Sequence, residues 1–278
     1  MGKLQDALRR VKEGSAGKAG NAAKAPGQRR AEPVGGAAGQ RNMAADLWPE
    51  ITQYVCDQEA MAKHRLTAGL EVAHGATMSY NMLRTRLIKR MRDNGWLSLI
   101  VTSPNADAGK SLTALNLAFS IAREQNQRVY LVDADFRVPG LHNYLGITPT
   151  KHLTNFLDGD CEINDVVCGV GVERLHLVFN TVQHEHSAEL LTSPRMREFV
   201  SELKRRDPVG LIIYDAPPLL AADDVLAFSP QVDAVLMVVA EGETQREDLA
   251  KSVQIMTDIN LLGIVLNKSR DVLGNTYY

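Results

Sequence analysis

Six short apolar runs, separated by segments of helical periodicity, constrain the fold of this chain more than any other feature. Each run has the length of a strand, and its apolar side chains are mostly consecutive rather than alternating. Strands of that kind are buried on both faces, as in a parallel sheet covered by helices on each side. The runs span residues 96–102, 128–133, 175–179, 211–215, 234–240 and 262–267. We therefore predict an α/β fold with a mostly parallel central sheet and helices on both faces.

Helical segments are predicted between these runs and before the first of them. They lie at about 77–95, 110–125, 188–206 and 244–258. In the first, Leu83, Leu87 and Met91 recur on one face, which is typical of a helix that packs on a core. Because ligands of open α/β sheets bind at the carboxyl ends of the strands, we expect the functional residues there.

The composition is typical of a globular protein with a sizeable core. Of the 278 residues, 45% are hydrophobic and 23% are charged, and no run approaches the roughly 20 apolar residues of a membrane span. The first residues lack the apolar core of a signal peptide. Three cysteines without metal-ligand spacing are expected to be reduced and buried: Cys56, Cys161 and Cys168. These features predict a cytoplasmic protein.

The N-terminal region differs in composition from the rest of the chain. Residues 1–13 are predicted to form a short amphipathic helix, and residues 14–41 a flexible linker rich in Gly, Ala and Pro. Residues 1–41 contain nine Lys or Arg and three Asp or Glu, whereas the remainder is acidic. Such an arm either binds anionic lipid or an acidic protein face, or is a solvated tail. Because it has no interleaved aromatic residues, it does not indicate nucleic-acid binding.

The loop after the first run ends in Gly109-Lys110-Ser111 and opens a helix, as a phosphate-binding loop does. Backbone N–H groups at a helix N-terminus bind anions, Lys110 would contact the β- and γ-phosphates, and Ser111 would bind Mg²⁺. Pro104 replaces the first glycine of the usual motif, and Asp107 is of a residue type that tolerates a left-handed conformation. The predicted nucleotide contacts in this loop are Asp107, Ala108, Gly109, Lys110, Ser111 and Leu112.

Acidic residues follow two further runs beside this loop. Asp133 and Asp135 close the second run, and Asp215 closes the fourth. Carboxylates in that position can hold Mg²⁺ or activate a nucleophile, although a single Asp at a strand end is more often a helix cap or a turn residue. Because three acids coincide with the phosphate-binding loop, we predict a nucleotide site at this edge of the sheet.

The motifs "SPNADAGKS", "LVDADFRVP" and "LIIYDAPPLL", with Asp224 nine residues after Asp215, resemble the Walker A, A′ and B motifs of bacterial tyrosine kinases. These are cytoplasmic autokinases of exopolysaccharide and capsule biosynthesis, a branch of the MinD/ParA class of P-loop ATPases. The resemblance spans roughly residues 75–278, and the N-terminal helix resembles that of the exosortase-associated type. Asn105, where many MinD/ParA ATPases have a second lysine, favours the kinase branch.

The resemblance implies a P-loop fold, ATP and Mg²⁺ as cofactors, and a role for each matching residue. The catalytic residues would be Lys110, Asp133 and Asp135, and the Mg²⁺ site would consist of Ser111, Asp133 and Asp215. Asn267 would read adenine, or else be a turn residue. Arg137 would contact a phosphate or an acid, or form a surface ion pair.

A phosphate acceptor and partners are also implied. In this family a neighbouring subunit of a ring phosphorylates a tyrosine-rich C-terminal tail. Here a main domain at 42–270 is followed by a tail at 271–278 with Tyr277 and Tyr278. A homo-oligomer is expected, although only Arg84 matches the helical motif used in ring assembly. The implied partner is a separate membrane protein that determines polysaccharide chain length, and it would place the chain at the inner face of the cell membrane.

Two other functions are compatible with the sequence. One is a MinD/ParA-like ATPase switch that gates polysaccharide assembly without tyrosine phosphorylation. The other is a nucleotide-bound scaffold that docks through its N-terminal helix. Removal of Tyr277 and Tyr278 separates the kinase from both, and ATP turnover separates the switch from the scaffold.

Overall fold

The computed structural model describes residues 47–48, 50–70 and 75–269 of the chain. Three predicted segments lie outside the described residues: the helix at 1–13, the linker at 14–41 and the tail at 271–278. The described residues from Glu50 onward form one compact unit. None of its described helices has both the length and the apolar character that crossing a membrane requires.

An eight-stranded, mostly parallel sheet forms the centre of this unit, which confirms the predicted fold class. Its strands are β1 (Thr52–Gln53), β2 (Ser98–Thr102), β3 (Val129–Asp133), β4 (Val167–Gly169), β5 (Leu175–Val178), β6 (Leu211–Asp215), β7 (Ala234–Ala240) and β8 (Leu261–Asn267). They lie in the order β1-β4-β5-β3-β6-β2-β7-β8, with β4 antiparallel to β5. All six predicted strands are confirmed. The short strands β1 and β4 were not predicted, because two or three residues are too few for a recognisable pattern.

Helices cover the two faces of the sheet. They are α1 (Gln58–Lys63), α2 (Gly75–Asn94), α3 (Lys110–Ala122), α4 (Leu141–Leu145), α5 (Leu153–Asp158), α6 (Ile163–Val166), α7 (Ser187–Leu191), α8 (Pro194–Arg206), α9 (Asp224–Phe228) and α10 (Arg246–Ile255). The prediction of one helix at 188–206 is wrong, because α7 and α8 are separate. Ser193 caps α8 by accepting the N–H of Met196 at 3.1 Å, and Pro194, which has no N–H, occupies the first helical position.

Helix α3 packs between the sheet and helix α2. Its residues 113–122 are all buried, and it contacts β2, β3 and β6. Leu87 and Met91 of α2 are buried in the same core, as the helical periodicity predicts. On the opposite face of the sheet, Tyr214 of β6 meets Phe228 of α9 edge-on, with 4.9 Å between ring centroids. The largely apolar sequence of α3 suits this enclosed position, and the N-terminus of α3 lies at the carboxyl edge of the sheet.

The strand register brings the predicted acids together at this carboxyl edge. In the β3–β6 pair Asp133 lies opposite Asp215, and in the β2–β6 pair Val101 lies opposite Asp215. The phosphate-binding loop begins just after Thr102, the last residue of β2. Because β3, β6 and β2 are neighbours, the two acids and the loop meet at one site.

A buried ion pair lies at the opposite edge of the sheet, just before the first residues of β3 and β6. Arg128 contacts both carboxylate oxygens of Asp207, at 2.5 and 2.8 Å, and the hydroxyl of Tyr130 donates to the same carboxylate at 3.0 Å. Burial raises the pKa of Asp207, but the hydrogen bonds and charge of Arg128 outweigh it and hold the pKa below its usual value. The ionised carboxylate is therefore a stabilising part of the fold.

We expect Asp207→Asn to lower the free energy of unfolding by about 3 kcal/mol at neutral pH, because it leaves the Arg128 charge buried without its partner. Because the pKa of Asp207 is lowered in the folded state, its carboxylate stabilises the fold at any pH above the usual pKa of Asp, and this contribution is lost as the pH falls through the lowered pKa. The difference in free energy of unfolding between Asp207→Asn and the parent should therefore be smaller at about pH 3 than at neutral pH. Urea denaturation at these two pH values measures the difference.

The matched control is Asp93→Asn, which removes an acid from an exposed pair with Lys89. Its effect should stay below about 1 kcal/mol, as for other surface ion pairs. Equal losses of stability in the two variants would contradict the importance of the buried pair.

Candidate nucleotide site

The loop between β2 and α3 has the backbone shape of a phosphate-binding loop. Asp107 and Gly109 have positive φ angles of 60° and 84°, so Asp107 adopts the left-handed conformation that its residue type tolerates. Gly109 is the N-cap of α3, so the first N–H groups of the helix point toward the loop without helical partners. The front half of the loop is held by Asn105, whose side-chain amide donates to Asp248 of α10 at 2.7 Å. The loop is thus preformed for an anion.

Lys110 lies among the carboxylates at the centre of the site. Its Nζ is 2.7 Å from Asp135 Oδ2, 3.7 Å from Asp215 Oδ1 and 3.2 Å from Ser111 Oγ. Burial lowers the pKa of Lys110, but the charges of Asp215, Asp135 and Asp133 outweigh it and raise the pKa above its usual value. The ammonium group is therefore charged at neutral pH.

Asp133 holds the backbone of the loop that follows it. Its Oδ2 accepts the N–H groups of Gly140 and Leu141 at 3.0 and 3.1 Å, and its Oδ1 accepts that of Asp135 at 3.4 Å. The side chain is fully buried, and this burial, followed by the charge of Asp215, raises its pKa well above the usual value despite the backbone donors. Sequence analysis did not find this role, since an Asp eight residues before a hydrogen-bonded N–H matches no capping pattern.

Asp135 and Asp215 differ in how fully their oxygens are used. Asp135 Oδ1 accepts the N–H of Val138 at 2.9 Å, and its Oδ2 pairs with Lys110. Asp215 Oδ1 is buried and has no hydrogen-bond partner among the described residues. Burial raises the pKa of Asp215, while the charge of Lys110 and the hydroxyl of Ser111 lower it. A carboxylate oxygen that accepts no hydrogen bond, and whose ion-pair partner Lys110 is as far as 3.7 Å, fits a hard cation such as Mg²⁺ beside the serine hydroxyl.

Asn267, at the end of β8, contacts the phosphate-binding loop directly. Its Nδ2 donates to the carbonyl of Ala108 at 2.9 Å. A Cβ atom on Gly109 would come within 2.2 Å of the same nitrogen, so only glycine allows this approach. Adenine recognition by Asn267 stays a prediction, and the contact with the loop is a role that the sequence did not reveal.

Arg137 and Asp224 form an ion pair on the other side of the acids. Arg137 Nε is 3.0 Å from Asp224 Oδ2, and Asp224 is fully buried. The sequence allowed Arg137 to contact a phosphate or an acid, or to form a surface ion pair. In the structure it contacts an acid. Arg137 lies in the loop after β3 and Asp224 is the first residue of α9, so this pair ties that loop to α9.

Tyr144 on α4 is a further residue near the site that sequence analysis missed. Its ring packs against His64, with 4.8 Å between centroids. Burial raises the pKa of Tyr144. The charge of Asp215 raises this pKa further and the charge of Lys110 lowers it, so both charges act on the hydroxyl. No motif marks this tyrosine, because its position relative to the site depends on the orientation of α4.

Comparison with known proteins identifies relatives of this chain. Residues 99–276 match the family described as the CobQ/CobB/MinD/ParA nucleotide binding domain. The chain is 30% identical to the tyrosine-protein kinase YwqD of Bacillus subtilis over 190 residues, which is 68% of this chain and 79% of YwqD. It is 31% identical to EpsB of Ralstonia nicotianae over 191 residues, which is 68% of this chain but only 25% of that longer protein.

A solved structure is similar in fold. The kinase domain of the Escherichia coli tyrosine kinase ETK superposes with a TM-score of 0.67 at 23% identity. The match covers 87% of this chain and the whole of that domain (100%). At this identity the similarity concerns the fold alone.

We expect Gly109→Ala to weaken nucleotide binding at least about tenfold, or about 1.4 kcal/mol. The added Cβ meets Asn267 at 2.2 Å and forces a left-handed alanine into the loop. Titration with a fluorescent nucleotide measures the affinity. Gly95→Ala is the matched control, because Gly95 also has a positive φ (69°) but has nothing within 4 Å of its Cβ position. Unchanged binding in Gly109→Ala would show that this loop does not hold the nucleotide.

Proposed function

The chain belongs to the CobQ/CobB/MinD/ParA nucleotide-binding family and, within it, to the bacterial tyrosine kinases, and we propose that it transfers the γ-phosphoryl group of ATP to tyrosine. The observation that supports this most directly is Lys110, held between Asp135 and Asp215 at the N-terminus of α3. A cation, two carboxylates and a helix N-terminus are the components that phosphoryl transfer requires.

We assign a role in this reaction to each residue from the contacts that it makes in the structure. The N–H groups of residues 107–112 and the ammonium of Lys110 bind the phosphates, and Ser111 and Asp215 hold Mg²⁺, with Asp133 as a predicted third ligand. Bound Mg²⁺ would neutralise the charge that develops on the phosphates. Asn267 contacts the adenine while its amide nitrogen keeps the loop in place.

Asp135 is the residue proposed to accept the proton of the attacking tyrosine. Asp133 is less suited, because both its oxygens already accept backbone N–H groups. Asp135 Oδ2 is bound to Lys110 alone among the described residues, at 2.7 Å. When Lys110 moves onto the phosphates, this oxygen becomes free to orient the tyrosyl hydroxyl and take its proton.

The proposed acceptors are Tyr277 and Tyr278, phosphorylated between copies of the chain in a homo-oligomer. We further propose that the kinase regulates exopolysaccharide polymerisation and export, as the exosortase-associated type would. Its partner would be a separate membrane protein that determines chain length. The chain would then be a cytoplasmic protein at the inner face of the membrane, held there by that partner or by the basic arm at 1–41.

Incubation of the purified chain with Mg-ATP should place phosphate on Tyr277 or Tyr278, detected by mass spectrometry. Lys110→Met should abolish the modification, because it removes the cation that binds the phosphates. Lys89→Met, on the exposed face of α2, is the matched control and should leave it unchanged. The experiment is run with and without the cytoplasmic part of a co-encoded membrane partner. ATP hydrolysis with both tyrosines unmodified in both conditions would favour the ATPase switch over the kinase.

Asp135→Asn should lower the rate of phosphotyrosine formation by a factor of about 100 or more, the usual range for loss of a general base. Nucleotide affinity should stay close to that of the parent, because the amide keeps the hydrogen bond to Val138. A radioactive transfer assay and a nucleotide titration measure the two effects, with Asp93→Asn as the control. A loss of nucleotide affinity equal to the loss of rate would assign Asp135 to binding instead.

A further inference from the structure

The loop after β3, residues 134–140, carries the proposed base Asp135 and is hereafter the base loop. Backbone hydrogen bonds fix both of its ends. At the start, the N–H of Ala134 donates to the carbonyl of Asp215 at 2.9 Å. At the end, a carboxylate oxygen of Asp133 accepts a backbone N–H at 3.0 Å. The middle of the base loop depends on side-chain contacts.

Asp135 forms a turn with the residues that follow it. Its Oδ1 accepts the N–H of Val138 at 2.9 Å, which fixes the carboxylate relative to the backbone of the turn. Arg137 lies within this turn, and its Nε is 3.0 Å from Asp224 Oδ2 at the start of α9. A displacement of Arg137 would therefore also change the direction of the Asp135 carboxylate.

We propose that Asp224 is a positioning residue for phosphoryl transfer. By binding Arg137, it holds the carboxylate of Asp135 in the orientation that deprotonation of tyrosine requires. The inference rests on the proposed kinase function and deepens it, because it names what keeps the base in place. A general base must lie within hydrogen-bond reach of the proton that it accepts, and a misplacement of about 1 Å can lower a rate about 100-fold.

Asp224 is itself held by packing against the sheet. It is the first residue of α9, and Phe228, the last residue of α9, meets Tyr214 of β6 edge-on with 4.9 Å between ring centroids. All three side chains are fully buried. Because β6 ends in Asp215, the ion pair ties the base loop to the strand that carries a proposed Mg²⁺ ligand. The base and the metal are thereby kept in a fixed relation.

The contacts of this pair differ from those of the structural pair at the opposite edge of the sheet. Arg128 binds Asp207 through two nitrogens and is largely buried. Arg137 hydrogen-bonds to Asp224 through Nε, and its side chain is 37% exposed. The second carboxylate oxygen of Asp224 is buried and accepts no hydrogen bond from the described residues. Since a buried carboxylate with so few donors adds little to stability, the pair is better explained by the position of the base loop.

The first test removes the pair without leaving a buried charge. In Arg137→Met/Asp224→Leu both side chains become apolar, and Leu has the same branching as Asp. The urea midpoint of unfolding should therefore equal or exceed that of the parent. The kcat of phosphotyrosine formation should nevertheless fall at least about tenfold, with the KM for ATP unchanged.

The matched control is Arg195→Met/Glu198→Leu. In this pair the nitrogen–oxygen distance is 2.9 Å and the arginine is 34% exposed, which is close to the exposure of Arg137. Both residues lie on α8, which contributes no residue to the candidate site. The kcat of this control should equal that of the parent.

The second test separates positioning from a general effect on the fold. If the pair acts through Asp135, the double substitution should lower kcat in the parent but not in Asp135→Asn, where the base is already absent. We expect a loss of at least about tenfold in the first background and a change below about twofold in the second. Equal losses in the two backgrounds would overturn the inference.

The single variants keep the test valid if the double variant unfolds more readily. Arg137→Lys keeps a cation for Asp224 and should retain most of the rate that Arg137→Met loses. Equal rates in these two variants would contradict the ion pair as the cause.

The outcomes also separate this inference from the function on which it rests. Phosphotyrosine formation by the parent, with kcat unchanged in Arg137→Met/Asp224→Leu, would overturn the role of Asp224 and leave the kinase activity intact. ATP hydrolysis by the parent without phosphotyrosine would reject the kinase activity, and the positioning of Asp135 for tyrosine with it.

Discussion

The ionisation of the acids at the site, and the ligands that the site can bind, depend on the balance of charge around Lys110. One ammonium group faces Asp135 at 2.7 Å and Asp215 at 3.7 Å, and the charge of Asp133 also acts on it. Three carboxyl groups face this one lysine, and burial raises the pKa values of Asp133 and Asp215, which favours their neutral forms and limits the excess of negative charge. The fold maintains this arrangement through strand register and backbone hydrogen bonds. A metal ion and a nucleotide that arrive together keep the charges matched, whereas a nucleotide alone adds further negative charge.

The three carboxylates have distinct surroundings although they are of one residue type. Asp133 serves as an anchor for the backbone before α4, and Asp135 shares its oxygens between that loop and Lys110. Asp215 keeps one buried oxygen that accepts no hydrogen bond from the described residues and has only the longer ion pair with Lys110. Their positions along adjacent strands explain the difference, because each faces a different set of N–H groups. The chemistry of the site therefore depends on the loops as much as on the acids.

The sequence predicted the strands and the phosphate-binding loop, because apolar runs and the Gly-Lys-Ser turn are local signals. It also showed that Asp107 is compatible with a left-handed conformation, which few other residue types tolerate. The contact of Asn267 was not predictable, because it joins segments that only the folded sheet brings together, and the contacts of Asp133 were not, because they match no capping pattern. The break before Pro194 was overlooked, although Ser-Pro is a local signal for the start of a helix. The sequence therefore predicted the fold and the general location of the site better than the individual contacts.

The contact between Asn267 and the phosphate-binding loop depends on the register of β8 against β7. The two strands pair in parallel with Ala240 beside Asn267, and α10 connects them. A slip of β8 by one residue would present Leu266 or Lys268 to the loop instead. Neither carries an amide, and Lys268 already binds Glu243 at 2.6 Å. The pairing of two strands beyond the catalytic acids therefore keeps an amide against the loop that opens α3.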